Sequence, residues 1–161
     1  MDLPKRKNVR LKDYDYSENG AYFITICSLD KQNIFSVINV GTTTGRPNIL
    51  SDYGIIIENN INNIPKIYIG ATIDKYVIMP NHIHFIIRIE NDIEGGRPMV
   101  VPTISKIIQQ FKGSVTKKIG TTIWQTRFYD HIIRNETEYQ EIWKYIDENP
   151  IKWQEDKYYI R

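Results

Sequence analysis

The run YVIMPNHIHFIIRIE, residues 76 to 90, restricts the fold more than any other part of the chain. It is dense in β-branched and aromatic residues and is broken only at Pro80-Asn81. It therefore reads as two strands, 69–80 and 82–90, joined at that dipeptide. The second strand carries two histidines, His82 and His84. Successive side chains on a strand point to opposite faces, so both imidazoles look the same way and Ile83 looks the other. Two adjacent imidazoles able to converge on one point are half of a divalent-metal site. Two histidines on a solvent-facing strand are also an ordinary surface feature, and the pair alone does not decide between the two.

The remaining elements follow from period and punctuation. AYFITICS (21–28) reads as a strand after Asn19-Gly20, and GTTTGRPN (41–48) as a turn-rich loop. A helix is expected from Ser51 or Asp52, its N-cap, to Pro65, its end. NDIEGGRPMVVP (91–102) reads as a loop. TISKIIQQFKGSVTKKIG (103–120) places Ile104, Ile107, Ile108, Phe111, Val115 and Ile119 on one helical face, with Lys106, Lys112, Lys117 and Lys118 mostly on the other. RFYDHIIRN (127–135) is a last strand, leading into a helix, 136–150, stopped by Pro150. Strand, helix, strand, strand, helix, strand, helix is the order of an α+β fold. It implies a ferredoxin-like antiparallel sheet with helices packed mainly on one face, plus a C-terminal helix.

Composition narrows the class. At 161 residues the chain fits one domain, 1–161, with a basic N-terminal arm over residues 1–12 that holds Lys5, Arg6, Lys7, Arg10 and Lys12. Hydrophobic residues at 41% and charged residues at 25% are near the globular average, which argues against wholesale disorder. The net charge of +2 neither requires nor excludes nucleic acid. A single cysteine, Cys27, excludes an internal disulfide and any Cys-pair zinc site. No apolar run approaches the ~18 residues of a membrane span, and the N-terminus lacks the apolar core of a signal peptide. A soluble, cytoplasmic protein is expected.

A second constellation lies in KYIDENP (144–150). Residues four apart on a helix stack about one turn, or ~5.4 Å, apart, so Tyr145 and Asn149 project together. A phenol stands beside an amide oxygen able to ligate a hard cation. A tyrosine near a helix end followed by Asn-Pro is equally core packing and a helix stop.

Taken together, the two constellations resemble the HUH-type single-tyrosine transposases. Within them the chain resembles the REP-associated tyrosine transposases, over nearly its whole length. The matching blocks are RLKDYDYSENGAYFITIC (10–27), YVIMPNHIHFII (76–87), ISKIIQQFKGSVTKKI (104–119), WQTRFYDHIIRN (124–135) and YIDENPIKW (145–153). The resemblance implies that His82 and His84 are metal ligands, that Tyr145, on the C-terminal helix, is the nucleophile, and that Asn149 is a third ligand. Related transposases outside this branch place Gln where Asn149 stands, and either side chain offers an amide oxygen. The implied function is metal-dependent cleavage and transfer of single-stranded DNA at hairpins such as REP-like palindromes, through a 5′-phosphotyrosine intermediate. The implied cofactor is Mg²⁺ or Mn²⁺, although imidazole ligands by themselves favour zinc or another transition metal. The implied assembly is a monomer or a homodimer.

Other residues extend the reading to DNA. The arm lysines and arginines, Lys106, Lys112, Lys117, Lys118 and Arg127 are candidates to neutralise phosphates. Tyr14, Tyr16 and Tyr22 are candidates to stack unpaired bases, with Tyr22 equally placed to be core. His131 either approaches the metal or a phosphate, or is a satisfied packing residue. Tyr129 is a rival nucleophile without a partner at helical spacing. Two other classes stay open: a domesticated hairpin-DNA-binding protein that no longer cuts, and an unrelated metal-dependent nuclease in which Tyr145 is dispensable.

Overall fold

The structure is a computed structural model that describes residues 19–39, 48–91, 93–94, 97–98 and 101–161. The basic arm, with Lys5, Arg6, Lys7, Arg10, Lys12, Tyr14 and Tyr16, lies outside the described residues, as does most of the loop 41–48. Along the chain run β1 (Gly20–Cys27), β2 (Ser36–Ile38), β3 (Asn48–Leu50), α1 (Asp52–Ile67), β4 (Ala71–Ile78) and β5 (His82–Ile89). They are followed by β6 (Ile93–Glu94), β7 (Arg97–Pro98), α2 (Ile104–Ile119), β8 (Tyr129–Ile133) and α3 (Glu136–Glu148).

β4, β5, β1 and β8 form one antiparallel sheet in that spatial order, with β5 and β1 inside. With α1 between β1 and β4, and α2 between β5 and β8, this is the ferredoxin-like arrangement expected from the order of elements. The pleat sorts the side chains. Tyr22, Ile24 and Ile26 of β1 and Ile83, Phe85, Ile87 and Ile89 of β5 face α1 and α2, and meet Ile57, Ile61, Ile107, Ile108 and Phe111 there. Each fully buried isoleucine contributes roughly 1.5–3 kcal/mol of apolar burial. Tyr22 is fully enclosed in this layer, which rules it out as a surface for stacking bases.

The opposite face of the sheet carries His82, His84 and Ile86, and α3 covers it. Ala21, Val77, Met79, Ile86, Ile146 and Trp153 form a second, smaller core there. Two helices thus lie on one face, and the C-terminal helix is left to meet the histidines on the other. Gly54 lets α1 seat closely, because a Cβ at that position would stand 2.2 Å from the Phe35 carbonyl oxygen.

Side-chain caps set the helix starts. Ser51 accepts from the Gly54 N–H at 3.1 Å, Thr103 from Lys106 at 3.3 Å, and Asn135 from Glu138 at 2.8 Å. Gly120, at φ 91°, closes α2 in the left-handed conformation that suits glycine. One expected boundary is corrected: α1 does not end at Pro65 but runs to Ile67. Proline removes a single N–H in the last turn, and Tyr68 still donates to the Ile64 carbonyl at 2.9 Å. The loop reading of 91–102 is also corrected, since β6 and β7 pair within it, as β2 and β3 pair ahead of α1. Strands of two or three residues are too short to show a period. No described helix is long and apolar enough to cross a membrane.

Candidate active site

The antiparallel register sets Cys27 opposite His82 and Thr25 opposite His84. The two imidazoles project together with ring centroids 4.5 Å apart. Far from lying on an open surface, both are fully buried, His82 at 0% and His84 at 1% exposure. The segment after α3 closes over them, with the Tyr158 ring 4.4 Å and the Trp153 ring 5.9 Å from His82.

The hydrogen bonds behind the rings fix which nitrogens face the site. The Asn81 amide nitrogen donates to the Tyr158 carbonyl at 2.7 Å, so its side-chain oxygen is the atom 2.8 Å from His82 Nδ1. An oxygen there only accepts, so Nδ1 carries the proton and Nε2 presents a lone pair. His82 Nε2 is buried without a protein partner. His84 Nδ1 lies 2.7 Å from Thr25 Oγ1, and its Nε2 faces the Tyr145 hydroxyl at 3.5 Å. Burial, opposed by the nearby Asp156 carboxylate, lowers the His82 pKa to about 4. Burial, then the neighbouring His82 and Lys157, push His84 well below its ordinary value. Both rings are neutral near pH 7, the state a metal ligand needs.

α3 delivers the other half. Asn149 is its C-cap but keeps helical angles, φ −56° and ψ −43°, so the four-residue spacing from Tyr145 survives past the end of the helix. The Asn149 amide nitrogen donates to Asp156 at 2.6 Å, and its Oδ1 is left buried with no partner. One ligand atom each of His82, His84 and Asp156 lie within 4.8 Å of one another, close enough to hold a metal ion. Two imidazole nitrogens, an amide oxygen and a carboxylate, two of them orphaned and buried, are a donor set that fits a divalent cation. Burial, then the Asp156 charge, push the Tyr145 phenol up to about 12, while a hydrogen bond with Asn149 acts the other way.

These groups open into a cleft of about 450 Å³ lined by Phe23, Thr25, His84, Tyr129, Tyr145, Glu148, Asn149, Lys152, Glu155, Asp156 and Lys157. Lys152 is held by Glu148 at 2.6 Å, whereas the Lys157 ammonium lies 5.0 Å over the Tyr158 ring and has no carboxylate partner among the described residues.

The structure thus brings His82, His84, Tyr145 and Asn149 together, and separates the α2 lysines from them. Lys106, Lys112, Lys117 and Lys118 belong to the helix on the far face of the sheet. Lys112 holds the loop before β8 through the carbonyls of Gln125, at 2.6 Å, and Thr126, and Lys118 reaches Asn60 at 3.2 Å. His131 shares the sheet face of the site but is paired with Glu138. Arg127 is exposed just ahead of β8. Asp156, Asn81 and Thr25 were not expected from sequence. Asn81 touches His82 in the chain and was readable only as a turn residue, and Asp156 lies beyond any periodic element.

No family model matches the chain. It is 36% identical to an uncharacterized protein of Haemophilus influenzae, over 96% of this chain and 93% of that one. It is 26% identical to a "Putative REP-associated tyrosine transposase" of the same organism, over 86% of this chain and 74% of that one. Among solved structures it is similar to a REP-associated tyrosine transposase bound to a REP hairpin, with a TM-score of 0.64, 23% identity, and 92% and 76% of the two chains covered. A "putative transposase" from Deinococcus radiodurans gives a TM-score of 0.51 at 11% identity, over 86% of this chain and 96% of that one. The fold is therefore a ferredoxin-like domain carrying an added C-terminal helix, and it is shared with these two solved structures. The chain belongs to the same family as the uncharacterized Haemophilus influenzae protein, and it is similar to REP-associated tyrosine transposases.

Proposed function

We propose that the protein cuts and rejoins single-stranded DNA beside hairpins, with Tyr145 as the nucleophile. The observation that carries this reading is the Tyr145 hydroxyl standing 3.5 Å from His84 Nε2 at the wall of an open cleft. A nuclease working through bound water has no use for a phenol at that point. The Tyr145 oxygen forms a bond to phosphorus while the bond from phosphorus to the 3′ oxygen breaks, giving a 5′-phosphotyrosine and a free 3′-OH. The phenol proton leaves to solvent in the cleft, and the departing 3′ oxygen gains one. An ester is exchanged for an ester, so a second 3′-OH reseals the strand by the reverse path.

His82, His84, Asn149 and Asp156 would hold a divalent ion, Mg²⁺ or Mn²⁺, that supplies positive charge to a phosphate oxygen and to the forming phenolate. The chain's own contribution is orientation. Asn81 and Thr25 fix the two imidazoles, Asp156 fixes the Asn149 amide, and the α3 spacing aims the phenol at the same point. Lys157, free of a carboxylate among the described residues, faces the cleft as a partner for a backbone phosphate. The hairpin seen with the 0.64 TM-score neighbour supports hairpin DNA as the substrate class.

Cleavage of hairpin-bearing single strands by Tyr145→Phe tests the reading. Lost cleavage with binding retained is expected, and cleavage near the wild-type rate would reject it.

A further inference from the structure

Tyr129 lines the same cleft as Tyr145 and takes no part in the chemistry above. In the sheet register His84, Thr25 and Tyr129 form one row over β5, β1 and β8, all on the face that bears the site. Two strand spacings, ~10 Å, separate Tyr129 from His84 along that row. Phe23, in the adjacent row, meets both tyrosines edge-on: its centroid is 6.3 Å from Tyr129 at 72° and 6.1 Å from Tyr145 at 82°. The Tyr129 ring is thus propped from within yet remains 38% exposed. β8 is an edge of the sheet, so a strand leaving the cleft past Tyr129 meets no further β-structure of that sheet. The exposed Arg127 precedes it by two residues.

We propose that Tyr129 is a stacking platform for an unpaired nucleobase next to the phosphate that reaches Tyr145. The inference rests on the reading of the cleft as a single-strand site. Stacking on an aromatic face is the sequence-tolerant way to hold unpaired bases, and Tyr129 offers such a face at the cleft wall. Lys157 lines the same cleft with a cation suited to a backbone phosphate. A ring propped by Phe23 is rigid before the strand arrives, so little ordering cost is left for binding.

The test uses full-length protein and hairpin-bearing oligonucleotides in which 2-aminopurine replaces, one at a time, each unpaired base flanking the hairpin, with EDTA present so that no cutting occurs. Wild type is expected to quench the probe at one position. Tyr129→Phe and Tyr129→Trp are expected to keep that quenching, and Tyr129→Leu to lose it and bind about 5- to 150-fold more weakly. Circular dichroism shows whether Tyr129→Leu stays folded, and the Phe and Trp variants carry the test if it does not. No quenching in wild type, or quenching unchanged in Tyr129→Leu, overturns the proposal. So does a Tyr129→Phe protein that binds but has lost covalent attachment to DNA, since the hydroxyl would then do chemistry. Failure of the cleavage reading shows separately, as wild-type protein that quenches the probe without ever attaching to DNA in Mn²⁺.

Discussion

The Asn149 amide nitrogen donates to the Asp156 carboxylate at 2.6 Å, and this one bond turns the Asn149 oxygen into a buried acceptor with no protein partner. The same relationship draws the segment after α3 across the histidines, where Tyr158 and Trp153 cover His82. One contact therefore fixes the Asn149 amide and ties the covering segment to the end of α3.

Asn81 plays the corresponding part for His82, so Asn81→Ala is expected to weaken Mn²⁺ binding by roughly 10- to 100-fold while leaving every ligand in place. Calorimetric titration of metal into wild type and variant measures this. Equal affinities would show that the Nδ1 contact does not fix the ring.

The buried histidines predict acid sensitivity in the metal-free protein. His82 is held down to about 4 from 6.5, so the unfolded chain takes up its proton first as pH falls. Stability is full above the ordinary histidine range and drains away from about pH 6.5 toward 4, by on the order of 3 kcal/mol at pH 4 from His82 alone. His84, lowered in the same direction, adds to the loss. Urea unfolding at pH 7, 6, 5 and 4 should give a shallower pH dependence for His82→Gln than for wild type; parallel curves would contradict it.

Lys157→Ala is expected to weaken DNA binding about equally for every sequence. The slope of log K against log salt should become shallower by about 0.7, the value for one phosphate contact on a single strand. An unchanged slope would remove Lys157 from the DNA path.

Gly54→Ala tests the packing that holds the sheet in place. The added methyl meets the Phe35 carbonyl at 2.2 Å, and overpacking of this kind costs about 1–3 kcal/mol. The expected readout is a lower urea midpoint with an unchanged m value.

How much of this was legible in sequence depended on whether a pattern was local. The His82/His84 pair follows from a two-residue period and Tyr145/Asn149 from a four-residue one, and both survive in the structure. The ferredoxin-like class needed only the alternation of elements. The α2 lysines illustrate the limit: helical periodicity places Lys106, Lys112, Lys117 and Lys118 away from the core, but only the tertiary arrangement puts α2 on the far face from the histidines. Asp156 and Thr25 reach the site through chain reversal and strand register, which leave no spacing to read. Pro65 misled because a proline is a helix stop on average, whereas in the last turn it costs only one hydrogen bond.

The central claim is covalent chemistry at Tyr145, and the most direct measurement traps the intermediate. Wild type and Tyr145→Phe are incubated with end-labelled hairpin-bearing single strands and Mn²⁺, quenched in EDTA, and run on a denaturing gel, with peptide mapping of any labelled band. The account predicts a protein-sized labelled band in wild type that maps to Tyr145 and disappears in Tyr145→Phe and without metal. Cleaved DNA with no such band, or a band that persists in Tyr145→Phe, would contradict it.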